Sequence, residues 1–152
     1  MLGFAARYRV ANQFGGSRML NTKLLMTVSA VVLGLGGLAV SFAPDEFLEF
    51  FDVAGREPLP SLLKIMGGLY LGFAIMNWTA KGSMIGGIYG RPVAIGNFLH
   101  FFVGAIVLAK LLVAGGTGAA VIAALVVYAV FCALFGWLVF GQGGACAVAG
   151  ED

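Results

Sequence analysis

Charge is what this chain has least of. Among its 152 residues nine are Lys or Arg, seven are Asp or Glu and one is His, so charged residues make up 11%, against about 25% in an ordinary soluble domain. That scarcity excludes a charge-rich disordered tail and a nucleic-acid binder of the basic type. Cysteine is as sparse. Cys132 and Cys146 stand fourteen residues apart, which gives neither a disulfide framework nor a CxxC metal or redox motif, and both read as structural or incidental. No acidic residue falls inside a long apolar run. This counts against a proton-coupled carrier, a multidrug antiporter and a cation channel lined by acidic rings. Ser-His-Asp and HExxH arrangements are missing as well, so no catalytic constellation is expected and an enzyme ranks last among the readings.

What is there is apolar. Hydrophobic residues make up 61% before the 24 glycines are counted, and the mean hydropathy is +0.99. Four uninterrupted stretches, 24–43, 60–79, 92–113 and 119–140, hold 84 residues and only two charges, Lys64 and Lys110. At about 1.5 Å rise per residue each stretch covers about 30 Å, the hydrocarbon thickness of a bilayer. Continuous rather than alternating apolarity points to helices, not to a barrel. The expected fold is therefore all-α: four transmembrane helices, up-down-up-down, in one domain over residues 24–140. A basic cytoplasmic arm precedes it at 1–23 and a glycine-rich cytoplasmic tail follows at 141–152. Met19 is an alternative start. The first apolar run exceeds the ~7–15 residues of a signal-peptide core, so it reads as a retained helix.

The basic residues set an orientation. Arg7, Arg9, Arg18 and Lys23 precede the first stretch, and Lys81 and Arg91 bracket the second connection; Arg56, Lys64 and Lys110 belong to the other side. Six against three places both termini in the cytoplasm by the positive-inside rule. Five of the seven acids (Asp45, Glu46, Glu49, Asp52, Glu57) fall in the outer first connection. There Pro44 can open a helix and Gly55 can close it. Phe47, Phe50 and Phe51 share one helical face and Asp45, Glu49 and Asp52 another, which predicts a short amphipathic helix on the outer membrane surface. A plain loop with aromatic anchors is the alternative.

Membrane helices approach closely where small residues recur every four positions. Gly34 in the first stretch, Gly68 and Gly72 in the second, and Gly96 and Gly104 in the third are the expected packing positions. Lys64 and Lys110 should snorkel to the interface. Lys81, Arg91, Trp78 and Trp137 should anchor the inner side. The glycines and two cations of the inner connection, 81–91, also permit a phosphate or lipid headgroup, although a flexible anchored turn is the plainer reading.

Two side-chain amides and one imidazole lie inside the spans. His100, the single histidine, sits eight residues beyond Pro92 between Gly96 and Gly104. That is about 12 Å deep, where an ionisable residue is a functional hypothesis by default. Asn77 and Asn97 fall at similar depths on adjacent antiparallel helices, so a side-chain hydrogen bond is feasible. Asn97 is also three residues from His100, and Tyr70 shares the face of Asn77. These four form either structural glue or a polar pocket. No metal site and no resident cofactor are expected; a haem or quinone contact at His100 is the minor alternative, and haem would need a second axial ligand from a methionine or a symmetric copy.

The run Leu62-Leu-Lys-Ile-Met-Gly-Gly-Leu-Tyr-Leu-Gly-Phe-Ala-Ile-Met-Asn77-Trp78, with Gly90-Arg91-Pro92 and Gly96-Asn97-Phe-Leu-His100-Phe, resembles small four-helix bacterial membrane proteins of uncharacterised function. The resemblance covers roughly residues 20–113. It implies a bacterial cytoplasmic (inner) membrane and carries over no reaction or ligand. The leading expectation is a structural or accessory subunit, partnered by the lipid bilayer and by a larger membrane complex or further copies of itself, without nucleic acid. A binder of a lipid, quinone or other apolar molecule near His100 is the alternative, and a small transporter or channel the third reading.

Overall fold

The computed structural model of the chain describes residues 2–51, 53, 58–82, 90–115 and 118–141, with side chains from residue 22 onward. The described elements are helices: α1 (Leu2–Phe42), α2 (Pro44–Phe50), α3 (Leu59–Ala80), α4 (Gly90–Val113) and α5 (Ala119–Phe140). Four segments are long and apolar enough to cross a membrane: Thr22–Phe42, Leu59–Ala80, Gly90–Val113 and Ala119–Phe140. Each boundary falls within two residues of the apolar stretches read from sequence. α1 begins at Leu2, so its helix continues back through the basic arm.

Proline sets two of the helix starts. Pro44 occupies the first turn of α2 and Pro60 that of α3, where a missing N–H costs no intrahelical bond. Asp45 and Glu46 fill the first turn of α2, next to the positive end of its dipole. Beyond α4, Gly115 takes φ 100°, a left-handed conformation suited to glycine.

The helices associate as two pairs, α1 with α3 and α4 with α5, and α3 meets α4 over a smaller area. Across α1 and α3, Gly34 lies against Ala74 and Gly37 against Gly67 and Leu71. Across α4 and α5, Phe101 stacks on Phe131 at 4.8 Å and on Phe135 at 5.8 Å, and Gly136 lies against Phe98. Both pairs contribute to one apolar core: Met26 and Leu33, Ala74, Ala94 and Phe101, and Phe131, Phe135 and Leu138.

A second, smaller core of Val40, Leu48 and Leu63 docks α2 on α1 and α3. It divides the phenylalanines that the sequence put on one face. Phe47 packs on this core, whereas Phe50 is 71% exposed. The buried stripe of α2 is Pro44 and Leu48, one turn apart, while Asp45, Glu46 and Glu49 are exposed. Asp52 and Gly55, also assigned to this element from sequence, lie outside the described residues.

Candidate functional site

The seam between the two helix pairs carries the polar groups. Asn77 of α3 and Asn97 of α4 are both 0% exposed. They exchange two hydrogen bonds, Asn77 Nδ2 donating to Asn97 Oδ1 at 2.7 Å and Asn97 Nδ2 to Asn77 Oδ1 at 2.6 Å. The second amide hydrogen of Asn77 goes to Ser29 Oγ on α1 at 3.1 Å, and that of Asn97 to the Val93 carbonyl at 2.9 Å. Ser29 Oγ in turn donates to the Met26 carbonyl at 3.1 Å. Every amide hydrogen is therefore used. In hydrocarbon an unpaired one would be costly, so the cluster ties α1, α3 and α4 together with no amide hydrogen left to give a ligand.

His100 is built into a different cluster. Its ring contacts Phe73 at 5.0 Å, Phe101 at 5.1 Å, Tyr70 at 5.2 Å and Tyr128 at 5.6 Å between centroids. The Tyr70 and Tyr128 hydroxyls are 2.6 Å apart and hydrogen-bonded. His100 Nε2 is buried without a hydrogen-bond partner. The glycines flanking His100 by one turn on either side explain the crowding. A Cβ at Gly104 would overlap the Tyr128 ring, and one at Gly96 would meet Phe73 at 3.7 Å. Absent side chains at these two positions let rings from α5 and α3 close over the imidazole. Thus the structure joins Asn77 to Asn97 and Tyr70 to His100, but hydrogen-bonds Ser29 rather than His100 to the asparagines.

Ser29 and Tyr128 escaped the sequence reading, and depth counting would have found Tyr128. From the ends Ala80, Gly90 and Phe140, Tyr70 and His100 are ten residues in and Tyr128 twelve, about 15–18 Å at helical rise. A tyrosine at mid-span, away from the interface that usually holds it, marks a buried partner.

The remaining candidates are placed as follows. Gly34 faces α3. Gly68 and Gly72 do not pack within the chain: both are exposed and nothing lies within 4 Å of the Cβ each would carry. The close approach belongs to Gly67, whose Cβ would collide with Ser41 and come within 2.9 Å of the Gly37 carbonyl. The buried face of α3 runs Pro60, Leu63, Gly67, Ala74, Asn77, and one residue further along the helix turns about 100° away from it. Lys64, Lys110 and Arg91 are exposed. Lys81 Nζ sits 2.8 Å from the centroid of the Trp78 ring, a cation–π contact near the end of α3. Trp78 and Trp137 are 52% and 78% exposed. Residues 83–89, in the connection between α3 and α4, lie outside the described residues. An apolar groove of about 290 Å³ runs between α1 and α3, lined by Ala30, Gly34, Leu71, Ala74 and Trp78 among others; His100 is not part of its lining.

Among the described residues no group of three or more His, Cys, Asp or Glu could hold a metal ion. Comparison with protein-family models, with curated proteins and with solved structures finds no match. What the described residues offer at the seam is hydrogen bonding in an apolar setting.

Proposed function

We propose that the chain is a non-catalytic subunit of a membrane assembly, built as an up-down-up-down bundle and associating through the outer face of α3. The alternation is supported by the register of the contacts. Partners step backward along α3 as they step forward along α1, and the same opposition holds for α3 with α4 and α4 with α5. Six basic residues against three support cytoplasmic termini. The exposed acids of α2, with Phe50 turned outward, support a helix resting at the outer interface. The resemblance to bacterial four-helix proteins supports an inner-membrane location.

The observation that carries the subunit reading is the Gly68–Gly72 pair. Two glycines one turn apart on an open face cut a shallow groove into a helix that needs no such groove for its own packing. In bilayers this spacing lets a second helix approach to backbone distance. The test is native mass spectrometry after mild detergent extraction from the native membrane. Wild type is expected to carry further copies or partner chains, and Gly68→Ile with Gly72→Ile to run as a monomer. A wild-type chain that is itself a lone monomer overturns the reading. Orientation is tested by thiol labelling, since Cys146 should react only from the cytoplasmic side.

A further inference from the structure

The seam holds an unfinished set of hydrogen bonds. Between Tyr70 and Tyr128 one hydroxyl donates and the other accepts. The accepting hydroxyl keeps its own hydrogen to give. The His100 ring lies 5.2 Å from that of Tyr70 and 5.6 Å from that of Tyr128 between centroids, and its Nε2 is buried and unpaired. Whichever tautomer the imidazole adopts, Nε2 wants a partner, as a donor if protonated and as an acceptor if not. An orphan of this kind in an apolar interior is costly unless something completes it. The completing group must have an oxygen that accepts from a phenol and exchanges a hydrogen bond with an imidazole.

The walls narrow the class. Phe73 lies tilted by 31° from the imidazole plane, and Phe101 and the two tyrosines stand around it at steeper angles. These are surfaces for a flat ring. The cluster lies about 15 Å from the helix ends, where a charged headgroup would be expensive. Tyr70, His100 and Tyr128 are each only half-buried, so the cluster reaches the lipid-facing surface. It also lies across the seam where α3 and α4 share less contact than the helices within each pair. A neutral, flat, oxygen-bearing molecule that dissolves in the bilayer meets all of these conditions. Water meets the hydrogen-bond condition alone.

We propose that Tyr70, His100 and Tyr128 form a binding site for the head ring of a lipid-soluble quinone or its quinol, one oxygen of which bridges His100 Nε2 and a tyrosine hydroxyl. The proposal concerns binding, with no electron transfer assigned to the chain. It stands apart from association through Gly68 and Gly72, which lie on the exposed side of α3.

The single histidine makes the test direct. Protein carrying isotope-labelled histidine and a histidine-free affinity tag gives one imidazole spin system by NMR in detergent micelles. Titration with decylubiquinone is expected to move the Nε2 resonance saturably at one quinone per chain. Tyr70→Phe with Tyr128→Phe keeps both rings and should weaken binding about tenfold, the factor expected for losing a buried hydrogen bond, with helicity by circular dichroism unchanged. Decanol, which offers an oxygen without a flat ring, should not compete. The proposal is overturned if saturating decylubiquinone leaves Nε2 unmoved, if the Phe variant binds as tightly as wild type, or if decanol produces the same shift. A cross-peak from Nε2 to water that persists under saturating quinone also overturns it.

Discussion

Replacing Asn77 with leucine tests whether the asparagine pair holds the two halves of the bundle together. Leucine keeps the branched, four-heavy-atom outline of asparagine without its hydrogen-bonding groups, so the change chiefly removes hydrogen bonds. Three of them end on Asn77, two shared with Asn97 and one with Ser29. Side-chain bonds between membrane helices average about 0.6 kcal/mol, so three come to roughly 2 kcal/mol. The substitution also strands one N–H and the carbonyl of Asn97 in a fully buried site, which adds about 1–2 kcal/mol. Asn77→Leu should therefore cost about 3–4 kcal/mol and Asn97→Leu about 2–3 kcal/mol, by the same reasoning over its two interhelical bonds. The double variant removes both amides and strands neither. It should cost little more than the worse single change, leaving a coupling of at least about 1 kcal/mol for the two reciprocal bonds. The assay is reversible unfolding by sodium dodecyl sulfate in mixed micelles, followed by far-ultraviolet circular dichroism, on all four members of the cycle. If the single costs add to within ~0.5 kcal/mol, the scatter of independent sites, the two amides are not a joined pair and the seam is held by something else.

Four further outcomes follow from local geometry. Gly67→Ala should destabilise the folded chain by about 1–3 kcal/mol because its Cβ meets backbone that cannot give way, here Ser41 N at 2.8 Å and the Gly37 carbonyl at 2.9 Å. Gly68→Ala, with open space around it, should be neutral or slightly stabilising in the same unfolding assay run on the dissociated chain; equal losses at the two sites there would show that α3 is rotated from the orientation described. Gly104→Ala should push the Tyr128 ring off α4 and break its bond to Tyr70, costing about 1–3 kcal/mol; ultraviolet resonance Raman bands of the tyrosines should then report weaker hydroxyl bonding, and unchanged bands would refute the contact. Lys81→Ala should remove about 0.5–1 kcal/mol of cation–π attraction and shift the emission of Trp78 in a Trp137→Phe background; an unmoved spectrum would mean that the ammonium does not sit on the ring.

The contrast between adjacent glycines shows where a membrane sequence is legible and where it is not. Span positions came through to within two residues because expelling charge from hydrocarbon is a one-dimensional constraint that the order of residues records directly. Pro44 and Pro60 recorded helix starts for an equally local reason. Rotation of each helix about its own axis is different. In water one apolar stripe identifies the buried face, but in lipid both the buried and the exposed faces are apolar. Leu62, Ile65, Leu69 and Ile75 look outward from α3 and are no less hydrophobic than Leu63 and Ala74 facing in. A small-residue repeat then has no unique phase. Gly67, Gly68 and Gly72 are compatible with either face until a partner chooses.

Polar atoms break that degeneracy. Asn77 can satisfy its amide only by facing Asn97 and Ser29, and this fixes the rotation of α3. Counting back along the same face from Asn77 leads to Ala74, Gly67, Leu63 and Pro60 and turns Gly68 and Gly72 outward. The asparagine bond and the exposed glycines are thus two consequences of a single angle. If Asn77→Leu lets α3 turn in its place, Gly68→Ala should begin to cost stability in that background while Gly67→Ala costs less. A rigid rotation predicts this exchange of sensitivities. A loss of hydrogen bonds with the helix held in place predicts that both glycine effects stay as they were.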